Sequence, residues 1–155
     1  MNVSGKVNNV STIVFAGEGE PTLRLDDMIR MAINMRALEA TRNVPMRLVT
    51  NGLCDEKNAV LELKDAGITS LSVALMTSSS AQYDDLMQPV IPDDLLENDV
   101  CAHQMVCNFI KRAVESGLDV EVTGVERSDV DKIAAQRLSS DLGVVRSFRW
   151  RPFFP

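Results

Sequence analysis

The side chains of this chain that could do chemistry recur at the ends of short apolar runs. Ile13-Val14-Phe15 leads into Ala16-Gly17-Glu18-Gly19-Glu20-Pro21, where two glycines clear space beside two carboxylates. Pro21 stiffens the exit and biases Glu20 toward extended backbone. Asn51 follows a second run, Met46 to Thr50, and Ser72 interrupts a third between Leu71 and Val73. Thr123 and Glu126 close a fourth. Arg149 and Arg151 alternate with Phe148 and Trp150, so they share one face of an extended strand. Carboxylates and carbonyls suit a cationic ligand, and two guanidiniums on one face suit a carboxylate or phosphate. Each group has a plainer reading. The Gly-Glu turn is equally a tight connection with solvated glutamates, and the arginines are equally protective charge on an edge strand.

Other chemistries find little support. His103 stands alone near a helix start and reads as a solvated or capping residue. Cys101 and Cys107 are six residues apart, which puts them on different faces of a helix. Cys54 follows the Asn51-Gly52 turn, close to the expected mouth, without a neighbouring His or Lys to activate it. No metal-ligand set, catalytic triad, phosphate loop or dinucleotide glycine fingerprint is present, so neither a catalytic nor a metal-binding residue is assigned. The eight methionines fit core filling.

The elements that must position these groups alternate regularly. Strands are expected over residues 10–16, 46–49, 69–75, 119–124 and 144–150. Helices are expected over residues 25–42, 55–66, 101–116 and 129–141, with a short helical stretch around 83–87 and a solvated loop or insertion over 88–99. Met28, Ala32, Met35 and Leu38 form one apolar stripe, flanked by Ile29 and Ile33. Val60, Leu61 and Leu63 form a second, Met105, Val106, Phe109, Ile110 and Ala113 a third, and Ile133, Ala134 and Leu138 a fourth. Gly67, Gly117 and Gly143 are helix stops, and Asn43 is a plausible one. Repeated strand-helix units imply parallel strands with right-handed crossovers, as an open doubly wound sheet or an arc of a barrel. Ligands of such folds sit outside the carboxyl ends of the strands, where the groups above gather.

Composition bounds the rest. A chain of 155 residues, 45% hydrophobic and 25% charged, suits one globular domain. The net charge of -6 argues against generic nucleic-acid binding, which needs basic patches. Three cysteines without a framework suggest a reducing compartment. No run reaches the roughly 18 apolar residues of a membrane span, and residues 1–9 lack the apolar core of a signal peptide. The expectation is a cytoplasmic protein away from membranes.

Taken together, Phe15 to Leu23, Thr50-Asn51-Gly52, Ser72-Val73-Ala74-Leu75, Tyr83 to Pro89 and Phe148-Arg149-Trp150-Arg151-Pro152 resemble the radical S-adenosylmethionine (SAM) superfamily. Among its members they look closest to the TatD-associated radical SAM proteins. The resemblance implies an α/β fold, a partial (β/α)6 TIM-like barrel comprising strands two to six of the core. It implies that Gly17, Gly19, Glu20 and Pro21 form the turn holding the SAM amino group, with Asn51, Ser72 and Thr123 as further cofactor contacts. Arg149 and Arg151 would then meet an anionic group of substrate or of SAM itself. The family also needs a 4Fe-4S cluster held by Cys-x3-Cys-x2-Cys, and Cys54, Cys101 and Cys107 have neither that spacing nor that place. The chain therefore reads as a truncated core that awaits a missing N-terminal segment or partner and does not cleave SAM alone. A degenerate SAM- or small-molecule-binding domain without catalysis is the alternative, and an unrelated small-molecule α/β domain stands behind both.

Overall fold

The computed structural model describes residues 11–54, 56–90 and 101–153. Among them, five strands lie side by side in chain order: β1 (Ile13–Phe15), β2 (Met46–Thr50), β3 (Ser70–Ala74), β4 (Asp119–Val125) and β5 (Arg149–Arg151). Every neighbouring pair is parallel. A doubly wound sheet reverses its order at a switch point; this one does not, which leaves the barrel arc. The arc stays open, with β1 and β5 as its edges among the described residues.

The crossovers are helical. A 3-10 turn (Pro21–Arg24) and α1 (Leu25–Ala37) join β1 to β2, and α2 (Ala59–Asp65) joins β2 to β3. Among the described residues, α3 (Ser80–Met87) and α4 (Ala102–Glu115) lie between β3 and β4, and α5 (Lys132–Asp141) precedes β5. Gly67, Gly117 and Gly143 end three of them in the left-handed region, at φ of 96°, 84° and 88°.

The register sorts the side chains by face. Leu48 pairs with Leu71 and Leu71 with Val120, and all three are buried. With Met46, Val73 and Val122 they form the helix-side face, packed in one core with Met28, Ala32, Leu63, Val106, Phe109 and Ile110. The other face carries Arg47, Ser72, Glu121, Thr123 and Arg149. Strand alternation thus separates an apolar, helix-covered side from a polar one, on which Ser72 and Thr123 are nonetheless buried.

Several boundaries differ from expectation. α1 stops at Ala37, five residues early, and Leu38 turns extended at its end. The Arg36 guanidinium takes up Arg42 O and Val44 O at 2.8 Å each, along with Gly67 O, and thereby fixes a turn where helix was expected. Asn43 lies in that turn and caps nothing. Leu61 and Ile133, expected inside, are 54% and 75% exposed, because the buried faces of their helices are Ala59, Val60 and Leu63 in α2 and Ala135 and Ser139 in α5. The last strand is confined to Arg149–Arg151. Val10, Asp55, most of the expected loop at 88–99 and residues 154–155 lie outside the described residues. No described helix is long and apolar enough to cross a membrane.

Candidate functional site

The Gly-Glu turn leaves β1 and enters the 3-10 turn through Glu20, whose backbone is extended (φ -79°, ψ 117°) ahead of Pro21. The Glu20 carboxylate binds four donors. Oε1 accepts from Thr22 N at 3.0 Å, Thr22 Oγ1 at 2.9 Å and Thr50 Oγ1 at 2.6 Å. Oε2 accepts from Asn51 N at 2.7 Å. The first bond caps the 3-10 turn. The last two span the sheet and tie the turn after β1 to the carboxyl end of β2. A carboxylate offers about four lone-pair sites, so Oε1 is saturated while Oε2 keeps room for one more donor.

The glycines are not required by the fold. Neither Gly17 nor Gly19 has a positive φ. A Cβ on Gly19 would meet nothing within 4 Å, and one on Gly17 only the Gly19 backbone, at 3.8 Å. The space beside the turn is therefore open, and it continues into a groove of about 960 Å³ between β1 and α1, lined in part by Phe15, Met28, Met31 and Met35.

Asn51 sits at the same mouth. Its Oδ1 accepts Leu53 N at 2.9 Å, which leaves the side-chain NH2 without a protein partner among the described residues. Gly17, Gly19, Glu20, Pro21 and Asn51 thus form one cluster at the ends of β1 and β2. Ser72, Thr123, Arg149 and Arg151 share the face of the sheet away from the core. Ser72 is buried and donates to Glu121 Oε2 at 3.0 Å. Thr123 is buried beside Ala74, and its carbonyl accepts Leu75 N at 3.0 Å. Arg149 Nη1 lies 3.5 Å from Glu121 Oε2. Arg151 is exposed. Phe148 and Trp150 stack on each other at 4.4 Å on the helix side, which leaves both arginines on the open side.

Four participants escaped the sequence reading. Thr22 and Thr50 reveal themselves only through the shared carboxylate. Arg47 and Glu121 carried a signal, since each is a charge inside an apolar strand run, the same signal that singled out Ser72. They form an ion pair.

His103 corrects an expectation: it is buried, not solvated. Thr77 O lies 3.0 Å from its Nε2 and can only accept, so Nε2 carries the proton. Nδ1 then faces Cys107 Sγ at 3.9 Å, and Tyr83 packs edge-on to the imidazole. Burial, with Cys101 nearby, pushes the Cys107 thiol up to about 11, and burial pushes the Tyr83 phenol up to about 12. Cys107 is accordingly a neutral core thiol. Cys54 is buried, and Cys101 accepts from Ser80 Oγ at 3.2 Å. Among the described residues no group of three His, Cys, Asp or Glu side chains could hold a metal ion, so they do not fit an iron-sulfur cluster.

No family model matches the chain, and no curated protein matches its sequence. Solved structures do share its fold. SuiB from Streptococcus suis superposes with a TM-score of 0.66 at 18% identity, over 93% of this chain and 29% of SuiB. A domain of pyruvate-formate lyase-activating enzyme from Bacteroides vulgatus gives a TM-score of 0.56 at 13% identity, over 90% of this chain and 98% of that domain. The chain spans less than a third of the SuiB chain. At these identities the likeness is one of fold.

Proposed function

We propose that this chain is a radical SAM core domain, strands two to six of a (β/α)6 barrel, that binds SAM at the mouth formed by β1 and β2. The observation that carries the reading is the open space at Gly17 and Gly19, beside a carboxylate that braces the turn. Nothing in backbone conformation or packing asks for glycine there, whereas a ligand lying against the main chain does. The fold likeness to SuiB and to the activating-enzyme domain supports the superfamily, and the motifs quoted above favour the TatD-associated branch.

In this reading Glu20 acts mainly as a brace. Its four bonds hold the turn so that backbone carbonyls, with the spare lone pair of Oε2, accept the SAM ammonium. The Asn51 NH2, without a protein partner among the described residues, lies at the same mouth, Ser72 and Thr123 lie farther along the sheet, and Arg149 and Arg151 offer donors to an anionic group. In the parent reaction SAM with a 4Fe-4S cluster supplies a 5'-deoxyadenosyl radical. The described residues do not fit the cluster, so they are assigned no step of that cleavage. The thiolates would come from a further segment or a partner. The inaccessible Cys54 and Cys107 equally favour a second reading, a binding domain without catalysis.

Calorimetric titration of SAM into the chain and into Gly19→Val tests the site. The added side chain enters open space, so the fold should be kept while SAM binding is lost. SAM binding unchanged in Gly19→Val, or absent from the parent chain, overturns the assignment. A stable 4Fe-4S spectrum after reconstitution of this chain alone would overturn the statement about the cluster.

A further inference from the structure

The two edges of the sheet are guarded differently. β5 carries Arg149 and Arg151, and charge on an edge strand discourages pairing with another chain. β1 is Ile13-Val14-Phe15, without a charge. Ile13 N donates to Pro45 O at 2.9 Å, so the polar backbone atoms of Ile13 and Phe15 turn toward β2. Those of Val14 then turn outward, where β1 has no neighbouring strand among the described residues. Ile13 and Phe15 pack against the core, which leaves the Val14 side chain on the other face, 52% exposed. Beside this edge runs the groove between β1 and α1, an open space of about 960 Å³. Its helical side extends from Arg24 to Met35, roughly 17 Å at the rise of a helix, the length of a five-residue strand.

The chain next to β1 says what covers the edge. Residues 1–10 precede Ser11, and they end in Val7-Asn8-Asn9-Val10. Asn tolerates the left-handed backbone that both central residues of a type I′ turn need. A two-residue loop at Asn8-Asn9 sets Val7 opposite Val10, Gly5 opposite Thr12 and Val3 opposite Val14. The residues flanking such a loop exchange both backbone hydrogen bonds, and so does every second pair after them. On the β1 side these are Val10, Thr12 and Val14. Val14 is the residue whose backbone turns outward, so the turn and the edge agree in phase. A slip by one residue would call on Ile13, whose N–H is already spent on Pro45. The same phase sets Val3 beside the half-exposed Val14 and Val7 beside Val10, cross-strand pairs that favour a sheet.

We propose that residues 3–7 of this chain pair antiparallel with residues 10–14 and cover the edge of β1. The occupant of the edge is the chain's own amino-terminal segment, and its function is to withhold an apolar edge from other chains. Its first residues then end beside Ala16 and Gly17. The inference goes beyond the proposed function and does not rest on it.

Amide hydrogen exchange in the full chain, followed by NMR, tests it. The Val14 and Phe15 amides should both be protected. Removing residues 1–8 should speed Val14 exchange about tenfold, the worth of one hydrogen bond, and leave Phe15, which faces β2, unchanged. Should the shortened chain misfold, Asn8→Pro breaks only the turn and should speed Val14 exchange about tenfold as well. Asn9→Gly, which makes the favoured Asn-Gly turn, should slow it about threefold. An Hα–Hα contact between Ser4 and Ile13, a close pair without hydrogen bonds, fixes the register. Four outcomes overturn the inference: Val14 exchanging as freely as an unstructured amide; protection untouched by both the deletion and Asn8→Pro; protection that grows with protein concentration and so belongs to a second copy; or no Ser4–Ile13 contact. None of these readings involves SAM, so edge pairing and the cofactor assignment fail separately.

Discussion

Replacing Glu20 with alanine removes the acceptor for four donors at once. Two of these are the backbone amides of Thr22 and Asn51, and a third is the hydroxyl of Thr50, which is 3% exposed. Summing four bonds to a charged group at about 1.5–3 kcal/mol each overstates the loss, because the carboxylate is half-buried and is fully hydrated once the chain unfolds. The better measure is what is left unpaired. A lost cap costs about 1 kcal/mol, and the stranded Asn51 amide and Thr50 hydroxyl cost roughly 1 kcal/mol each at the low end for desolvated donors. We therefore expect Glu20→Ala to lose about 3 kcal/mol, or roughly 6–12 °C in Tm for a chain of this size. Glu20→Gln should lose less, since its one carbonyl oxygen still serves part of the set. Urea denaturation gives the energies. Hydrogen exchange gives the location, because the Thr22 and Asn51 amides should exchange faster in the alanine variant while β3 and β4 keep their protection. A loss under about 0.5 kcal/mol, the usual effect of an exposed surface substitution, would return Glu20 to solvated charge and refute the brace.

Further outcomes follow from the core. Cys107 and Tyr83 hold their protons more tightly folded than unfolded, so their contribution to stability is intact below pH 9. It is lost as pH rises, from 9.0 to about 11 through the thiol and from 10.0 to about 12 through the phenol. The Tyr83 hydroxyl is buried with no partner among the described residues, so Tyr83→Phe should leave stability at pH 7 unchanged or raised by about 1 kcal/mol and remove the phenol's part of the alkaline loss. Denaturation from pH 7 to 12 checks both, and a loss at pH 7 above about 2 kcal/mol would show the hydroxyl is bonded. A Cβ at Gly124 would come within 2.9 Å of Phe148 Cε1 and Trp150 Cζ3 and 3.2 Å of Met76 O. Gly124→Ala should therefore cost about 2 kcal/mol and shift Trp150 fluorescence; an unshifted spectrum with unchanged stability would refute the close packing.

Much of the fold was legible because the signals are local. Leu71, Val73 and Leu75 announce a strand by alternation, and Gly67, Gly117 and Gly143 announce helix ends by position, without knowledge of what lies across the sheet. The errors also have local causes. The stripe of α1 continues on paper through Leu38, and nothing nearby in the chain reveals that Arg36 reaches the carbonyls of Arg42 and Val44 and a third at Gly67. His103 looks polar and terminal in the sequence, but the carbonyl that pays for its burial belongs to Thr77, 26 residues away.

The sequence alone determined the alternation of strands and helices, the placing of Gly17, Gly19, Glu20 and Asn51 at strand ends, and the common face of Arg149 and Arg151. Each follows from backbone geometry repeating every two or 3.6 residues. The tertiary structure decided what those groups do to one another. Glu20 meets Thr50 across 30 residues, and Arg47 meets Glu121 across 74. Such encounters depend on strand order and register, which long-range packing sets, and no local period encodes them. For that reason a turn that reads as a ligand acceptor proves to be braced by its own carboxylate, and two charges hidden in apolar runs prove to be partners across the sheet.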